Sequence, residues 1–469
     1  MKLIPPALVP PLDTGFRPAA LANRAYRRAV VAGEGVPLIL GLEREQGQLS
    51  RFETQILPDD HPDAAATWRY AERLVKFLLW QRGGHTLYVG GPSSVGERVR
   101  AAYMPGGERE FDWRFLGEQV YERPFRVVVC HPSEVPTACE TGKLLGRHLD
   151  GCRIGFDLGA SDRKVSAVVD GDAVYSEEVV WAPRTQSDPE YHYREILSAI
   201  RTAAAHLPRV DAIGGSSAGI YIDNHPMVAS LFRGVPQERF HEIKNLFVRL
   251  GDELGVPLQV INDGDVTALA GSMALGDNGV LGIALGSSQA AGYVDLNGHI
   301  LGWLNELAFA PIDYSPRAPA DEWSGDIGCG SQYLSQQCVF RLASGAGISP
   351  PPGLSDAAKL ESVQESLEAG HPGATRIWQS MGTYLGYGLA HYADFYAIQH
   401  ALILGRCTSG RGGLLILEGA RAVLQAEFPE LADRIHLHLP SENSRRVGQA
   451  IAAASLPSIR FRSDPEPQN

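Results

Sequence analysis

Residues 262–265, with the sequence NDGD, bring two carboxylates and an amide into one short stretch. The apolar run 258–261 precedes it and the small-residue segment 266–274 follows, which predicts a strand ending and a helix beginning here. A carboxylate at such a junction can cap the helix, or it can be a general base that accepts a proton from a reacting group. We expect Asp265, nearer the helix, to be the cap and Asp263 to be the base.

The segment DLGASDRK begins at Asp157 and lies between two predicted strands. Its small residues Gly159 and Ser161 allow backbone amides to approach phosphate oxygens. Asp157 can hold a magnesium-bound water, and Lys164 can neutralise phosphate charge. An ordinary polar hairpin has the same composition, so the segment alone leaves both interpretations open.

Two later turns also have small residues suited to binding phosphate or a nucleotide. The segment GSSQAAG begins with Gly286, Ser287 and Ser288, which supply amides and hydroxyls between two predicted strands. Gly405 and Arg406 follow the apolar strand ALIL, where a glycine-rich loop before a helix lets a base or ribose approach closely. Each turn alone is also typical of a flexible hairpin or an ordinary strand end. Two small-residue turns between strands, one on each side of an acidic junction, are less expected by chance.

Strands and helices alternate through most of the chain, which predicts α/β layers. The order hairpin, helix and strand ending in Gly-Gly occurs at 37–92 and again at 151–219, so the first segment resembles a degenerate copy of the second. The length of 469 residues fits about three domain-sized units. We expect an N-terminal α+β extension over 1–150, a first lobe over 151–265, a second lobe with the nucleotide site over 266–457, and a flexible tail over 458–469.

Composition and charge exclude several classes of function. The net charge of −12 argues against nucleic acid as the main partner, because phosphate binding needs clustered Lys and Arg. The six cysteines are scattered without a C-x-x-C pair, as in reduced cytosolic proteins. No run approaches the roughly 18 apolar residues that a membrane-spanning helix needs. We expect a cytoplasmic protein without a membrane partner.

Together these motifs resemble those of the ROK family, a branch of the actin, Hsp70 and sugar-kinase superfamily that includes bacterial glucokinases. The similarity covers about residues 152–457. DLGASD is similar to the family's first phosphate turn, GSSQAAG to its second, and NDGD to the strand end that carries its catalytic base. The segment NELAF falls on its sugar-binding segment, and QAIAAA on its closing small-residue helix. The resemblance implies an α/β, two-lobed, actin-like ATPase (ribonuclease H-like) fold.

The resemblance further implies a kinase that uses ATP and Mg²⁺ to phosphorylate a hydroxyl of a sugar, aminosugar or polyol. Asp263 would be its catalytic base, and Asp157 would hold the metal. We expect the protein to form a homo-oligomer, a dimer. The residues expected to contact the nucleotide are Asp157, Gly159, Ser161, Lys164, Gly286, Ser287, Ser288, Gly405 and Arg406. The residues expected to contact the sugar are Asn262, Asn305, Glu306 and Ser217.

The sequence departs from the family pattern at its zinc motif. Of C-x-C-G-x-x-G-C only the final Gly-Cys is present, ending at Cys329, and Phe309 stands at the position of the zinc-binding His. We therefore predict no structural zinc. Ser331 also replaces a glutamate that contacts sugar in the family. These departures favour an alternative, a non-catalytic sugar-binding regulator or pseudokinase, against which the retained Asp263 argues.

A competing motif surrounds Ser217. The sequence GSSAG fits the G-x-S-x-G nucleophile elbow of α/β-hydrolases. That motif requires a helix directly after the serine, whereas the following IYIDNHP is β-rich. We expect the loop beside the sugar instead of a hydrolase nucleophile.

Overall fold

The computed structural model describes residues 1–140, 145–440 and 442–459, with no side chains described for 442–447. Most of the predicted flexible tail, from residue 460 onward, therefore lies outside the described residues. Contacts divide the chain into two compact units. The first unit comprises Met1–Gly142, Gly279–Ala291 and Leu301–Leu439. The second unit comprises Lys143–Asn278, Gly292–Ile300 and Pro440–Asn469.

The strands are β1 Val36–Glu43, β2 Leu49–Ile56, β3 Thr86–Gly90, β4 Arg126–Cys130, β5 Cys152–Leu158, β6 Asp162–Val169, β7 Asp172–Val180, β8 Ala212–Ser217, β9 Ile220–Ile222, β10 His225–Val228, β11 Leu258–Asn262, β12 Val280–Leu285, β13 Gln289–Val294, β14 His400–Leu404 and β15 His436–His438.

The α-helices are α1 Ala19–Ala32, α2 Ala65–Arg82, α3 Ser93–Ala102, α4 Glu110–Arg114, α5 Pro189–Ala204, α6 Phe240–Lys244, α7 Leu246–Leu254, α8 Asp263–Leu275, α9 Gln336–Ala343, α10 Asp356–Glu368, α11 Pro372–Tyr392, α12 Arg411–Glu427, α13 Pro429–Ala432 and α14 Glu442–Ala454. Within the part of the chain that the structure describes, no helix combines the length and apolarity needed to cross a membrane.

The second unit is built on a five-stranded sheet in the order β11-β8-β5-β6-β7. Strands β5, β6 and β7 form an antiparallel meander, while β8 and β11 run parallel to β5. The register pairs Leu158 with Ser217 and Ser217 with Asn262. The carboxyl ends of β5, β8 and β11 therefore meet at one edge of the sheet, which is the usual place for a ligand site in open α/β sheets.

Apolar residues of alternating strand positions bury one face of this sheet. Ile154 and Phe156 of β5 belong to one buried core with Ile200 of α5 and Phe247 of α7. On α14, small residues allow the backbone to approach the sheet. A Cβ atom added to Gly155 would lie 2.0 Å from the carbonyl oxygen of Ala450. Glycine in the strand is thus required by the close packing of α14.

Another four-stranded sheet has the order β13-β12-β14-β15. Strands β12, β14 and β15 are parallel, and Ala284 is in register with Leu404. The turns that follow β12 and β14 consequently start side by side. Helices α11 and α12 pack closely, because a Cβ atom at Gly382 would lie 2.8 Å from the carbonyl oxygen of Ile416.

The N-terminal residues of the first unit form a second sheet in the order β2-β1-β3-β4. Strand β1 is antiparallel to both β2 and β3, and β3 is parallel to β4. In the second unit, by contrast, the strand after the helix, β8, runs parallel to β5. The segments 37–92 and 151–219 thus share the order of their elements but differ in strand direction.

Helix α2 carries charged side chains into the interior of the first unit. Lys76 lies 2.9 Å from Asp112 and 3.4 Å from Asp326. Asp326 also contacts Arg73 at 3.0 Å and Arg109 at 2.7 Å. All five side chains are at most 8 % exposed, so this buried ion cluster ties α2 to the segment that contains Asp326.

Candidate active site

Asp263 is held at the start of α8 by its neighbour Asn262. The Asn262 Oδ1 accepts a hydrogen bond from the Gly264 amide at 2.7 Å, and its Nδ2 donates to the Gly219 carbonyl at 2.7 Å. The prediction that Asp265 caps the helix is therefore wrong. The helix begins at Asp263, so Asp265 already lies in its first turn, whereas a cap residue must precede the helix.

Asp265 has a different structural role. It is buried and accepts a hydrogen bond from the backbone amide of Tyr293 in β13 at 3.2 Å. The neighbouring Gly292 packs directly on the helix, because a Cβ atom there would lie 2.1 Å from the backbone of Gly264. Strand β13 thus fixes the first turn of α8 on one side and Asn262 fixes it on the other.

The carboxyl group of Asp263 has an unusual proton affinity. Burial raises its pKa to about 6, and the negative charge of Asp157 adds to the increase. The Gly264 amide and its own backbone amide oppose the shift by hydrogen bonding. A carboxylate with a pKa near 6 is a stronger base than an ordinary aspartate and is still ionised at neutral pH.

Asp157, on β5, forms the second carboxylate of this strand edge. Ser216 on β8 donates to its Oδ1 at 2.7 Å, and the Lys164 Nζ lies 4.0 Å from its Oδ2. Gln449 of α14 in turn donates to the Ser216 hydroxyl at 3.3 Å. Burial raises the pKa of Asp157, against the hydrogen bond from Ser216 and the charge of Lys164.

Neither Ser216 nor Gln449 was among the residues predicted from the sequence. The register of β5 and β8 places Ser216 directly beside Asp157. A serine at the carboxyl end of the strand VDAIGGSS was the available signal, and it was interpreted only as part of a hydrolase-like motif. The strands β9 and β10 that follow form a hairpin, which agrees with the rejection of that motif.

The turn between β5 and β6 is closed by local hydrogen bonds. The Gly159 amide donates to the Asp162 carbonyl at 2.9 Å, and the indole of Trp181 donates to the Gly159 carbonyl at 2.9 Å. The exposed Ser161 donates its hydroxyl to Asp162 at 3.1 Å. Lys164 lies 3.3 Å from the same Asp162 carboxylate. The turn thus keeps the lysine cation near Asp157, and the Ser161 hydroxyl is engaged by Asp162.

The other two predicted turns adjoin each other in the first unit. Ser287 and Ser288 are exposed, and the Gly286 amide closes their turn by donating to the Ser288 carbonyl at 3.0 Å. Gly405 has φ +100°, and a Cβ atom there would lie 2.5 Å from the backbone oxygen of Leu285. This contact joins the two turns, and Arg406 is exposed beside them.

The predicted sugar-binding segment is held by α2 of the N-terminal extension. The Asn305 and Glu306 amides donate to the carbonyls of Gln81 and Trp80 at 2.9 and 3.0 Å. The Asn305 side chain is buried and accepts a hydrogen bond from the Tyr396 hydroxyl at 2.9 Å. These backbone contacts could not be predicted from the residue pattern.

Ser217, the remaining residue expected to contact sugar, lies in the second unit. Its side chain is fully buried, and its hydroxyl accepts a hydrogen bond from Tyr221 at 2.7 Å. The charge of Asp263 contributes to a raised pKa of Tyr221, so Ser217, Tyr221 and Asp263 belong to one neighbourhood. Contact of Ser217 with a sugar stays a prediction.

The positions of the family's zinc motif are occupied by an apolar cluster. The Cys329 thiol is buried and lies 3.4 Å from the Phe309 carbonyl oxygen. The Phe309 ring stacks on Trp80 of α2 at 4.3 Å between centroids. Across the described ranges 1–140, 145–440 and 442–459, no group of three or more His, Cys, Asp or Glu side chains is placed to hold a metal ion.

Two solved structures are similar to this chain in fold. A ROK hexokinase from Thermus thermophilus matches with a TM-score of 0.50 and 20% identity, over 64% of this chain and 97% of that one. The chain has the fold of the ROK proteins. A ROK family transcriptional regulator, a homolog of the E. coli MLC protein, matches with a TM-score of 0.52 and 19% identity, over 66% of this chain and 79% of that one. No protein-family model and no curated protein matches the sequence.

The shared fold confirms the predicted fold class, the α/β fold of the ROK proteins. The match covers nearly the whole hexokinase but only part of this chain. Residues outside the ROK fold therefore exist, as the predicted extension requires. At this level of identity the likeness establishes the fold, and the chemistry has to be argued from the site.

Proposed function

We propose that the protein is an ATP-dependent kinase that phosphorylates a hydroxyl group of a sugar, aminosugar or polyol. The observation that carries the proposal is Asp263, a partly buried carboxylate at the end of a parallel strand whose pKa is raised to about 6. The fold supports the proposal, because one protein that shares it is named a hexokinase. We thus propose for this chain a kinase activity like the one that the name of the other protein states.

In the proposed reaction, Asp263 accepts the proton of the acceptor hydroxyl. The oxygen then forms a bond to the γ-phosphorus of ATP, and the bond between that phosphorus and the β–γ bridging oxygen breaks, which releases ADP. General-base assistance of this kind is typically worth about 10²- to 10⁴-fold in rate. Asn262 acts in this scheme as a positioning residue, since its side chain bonds both Gly264 and Gly219. Any contact of Asn262 with substrate hydroxyls remains part of the proposal.

The remaining groups would bind the nucleotide. Asp157 offers carboxylate oxygens, which suit Mg²⁺ because that ion is commonly held by one or two carboxylates together with substrate phosphates. When bound, the ion supplies positive charge that stabilises the phosphate oxygens. Lys164 adds a cation beside Asp157, and the exposed Ser287 and Ser288 offer hydroxyls to phosphate. We assign Gly405 and Arg406 to the base or ribose.

A non-catalytic sugar-binding regulator or pseudokinase is the second candidate. It is favoured by the shared fold of a ROK transcriptional regulator. It is also favoured by Asn305 and Ser217, whose side chains are already engaged by tyrosine hydroxyls. The raised pKa of Asp263 argues for catalysis, since a protein that only binds sugar gains nothing from a destabilised carboxylate.

The proposal is tested by measuring ADP release from ATP and Mg²⁺ with a panel of hexoses, aminosugars, inositols and sugar acids. We expect at least one acceptor to yield ADP together with a stoichiometric amount of phosphorylated product. Calorimetric titration with ATP and Mg²⁺ separates the two candidates. Nucleotide binding with product formation supports the kinase, whereas no nucleotide binding and no product with any acceptor would favour the regulator.

A further inference from the structure

Arg82, at the last position of α2, is a buried cation that forms no salt bridge with any residue in the described part of the chain. Its side chain is 8 % exposed, and its guanidinium lies 4.9 Å from the ring of Trp303 and 5.8 Å from that of Phe52. One terminal nitrogen donates to the Arg51 carbonyl at 3.1 Å. The buried Nε has no hydrogen-bond partner among the described residues. Arg82 thus keeps unused hydrogen-bonding capacity and an unneutralised charge.

The neighbouring carboxylate, Glu140, is already engaged by other groups. Arg44 lies 3.1 Å from it, the Trp303 indole donates to it at 2.7 Å, and the Ser50 hydroxyl donates to it as well. Arg44 is 5 % exposed. Counting the described residues that act on Arg82, two buried guanidinium groups therefore share one carboxylate, which leaves one positive charge in excess. Burial lowers the pKa of Arg82 to about 10, and the charge of Arg44 adds to the decrease against the attraction of Glu140.

This excess charge adjoins Asn305 and Glu306, two of the residues expected to contact the sugar. The Trp303 ring beneath Arg82 lies 5.8 Å from the ring of Tyr396, whose hydroxyl bonds Asn305. The Asn305 amide itself bonds the carbonyl of Gln81, the residue before Arg82. Arg82 and the predicted sugar-binding residues are therefore connected through direct contacts within the first unit.

We infer that Arg82 binds a carboxylate of the acceptor, which makes the substrate a polyhydroxylated carboxylic acid, such as an aldonate or uronate, instead of a neutral sugar. The inference rests on the proposed function for the position of the acceptor. One carboxylate neutralises the single excess charge, whereas a phosphate monoester would bring nearly two negative charges. A guanidinium suits a carboxylate because its planar donors bind both oxygens. An unpaired buried cation lowers stability, so a ligand explains why it is present.

The test is calorimetric titration of the full-length protein with gluconate, glucuronate, glucose and glucose 6-phosphate, in the presence of a non-hydrolysable ATP analogue and Mg²⁺. We expect at least one acid to bind about tenfold or more tightly than glucose, as for a charge-assisted hydrogen bond. We expect Arg82→Gln to weaken binding of that acid by about 10- to 100-fold and to leave glucose binding unchanged. Equal binding of acids and glucose, tighter binding of glucose 6-phosphate, or an equal loss for all ligands in Arg82→Gln would overturn the inference.

A second measurement separates ligand binding from a structural role. Thermal unfolding of the ligand-free protein should occur at the same or a higher temperature in Arg82→Gln, because the variant removes an unpaired buried charge. Arg82→Lys keeps the charge and should retain part of the preference for acids. If neither variant folds, Arg82 is structural and the inference fails. Failure of the kinase proposal would look different, since acids would then bind selectively but no acceptor would be phosphorylated.

Discussion

Asp157 and Asp263 stand at the ends of two strands of one sheet, and the charge of the first helps burial to raise the pKa of the second to about 6. The two carboxylates are suited to different tasks, metal binding by Asp157 and proton acceptance by Asp263. Asp157 is bonded by Ser216 and flanked by Lys164, so it can remain an anion that attracts a metal. Burial is the largest cause of the raised pKa of Asp263, the charge of Asp157 is the second, and only backbone hydrogen bonds are named against them.

The raised pKa predicts that Asp263 lowers stability above its folded-state pKa. The unfolded carboxyl group ionises near pH 4, whereas the folded group ionises near pH 6. The penalty is therefore absent below pH 4, grows between the two values and is complete above pH 6. We expect Asp263→Asn to raise the free energy of unfolding by about 1–3 kcal/mol at pH 8 and by almost nothing at pH 4. Urea unfolding at both pH values measures this.

The control for that experiment is Asp265, two residues further along the helix. Its carboxylate accepts the Tyr293 amide, so Asp265→Ala should lower the free energy of unfolding by about 1–3 kcal/mol. A stabilising Asp265→Ala, or an Asp263→Asn that is destabilising at pH 8, would contradict this assignment of the two acids.

Removal of the helix cap should lower the stability of the protein. Asn262→Ala loses the bonds to Gly264 and Gly219, and cap loss typically costs about 0.5–2 kcal/mol. Asn262→Asp keeps the cap but cannot donate to the Gly219 carbonyl. We expect Asn262→Ala to be the less stable of the two variants in denaturant unfolding. Equal unfolding midpoints for the wild type and Asn262→Ala would show that the cap contributes nothing.

Gly405 offers a test of the turn assigned to the nucleotide. Its positive φ and the 2.5 Å approach to the Leu285 backbone leave no space for a Cβ atom. Gly405→Ala should cost more than 1 kcal/mol of stability, the lower bound for an alanine forced into such a backbone conformation, and should weaken ATP binding. Gly345→Ala is the control, because none of the described atoms lies within 4 Å of its added Cβ. ATP binding by Gly405→Ala as tight as that of the wild type, measured by calorimetry, would show that this turn does not contact the nucleotide.

The buried ion cluster makes the N-terminal extension part of the first unit's core. Asp326→Asn leaves Lys76, Arg73 and Arg109 with less negative charge, and breaking a buried pair typically costs about 3–5 kcal/mol. The exposed pair of Arg100 and Glu97 is the control, for which Glu97→Gln should cost about 1 kcal/mol or less. Differential scanning calorimetry compares the two variants. Equal melting temperatures would mean that the cluster does not support the fold.

The sequence predicted the strand-to-helix junction at Asp263 because the signals there are local. An apolar strand, a turn and a small-residue helix follow one another without long-range information. The assignment of the cap failed at the same place, since Asn262, Asp263 and Asp265 are all suitable cap residues and only the first residue of the helix distinguishes them. Strand register was needed to bring Ser216 to Asp157, and periodicity does not define register between distant strands.

The contacts of α2 also could not be predicted from the sequence. Its residues Glu72, Arg73 and Lys76 have the composition of a solvent-exposed helix face, but all three are buried. Two of them, Arg73 and Lys76, contact Asp326, which is distant in sequence. The amides of Asn305 and Glu306 donate hydrogen bonds to backbone carbonyls of α2. Such bonds cannot be predicted from the pattern of side chains.

The most direct test of the central claim is the rate of phosphoryl transfer from ATP in Asp263→Asn, with an acceptor found in the panel. We predict a loss of about 10²- to 10⁴-fold in kcat, with nucleotide affinity within a factor of about three of the wild type. The wild-type kcat/KM should fall below an apparent pKa of about 6, where Asp263 becomes protonated. Transfer by Asp263→Asn at the wild-type rate would show that this carboxylate is not the base and would contradict the account.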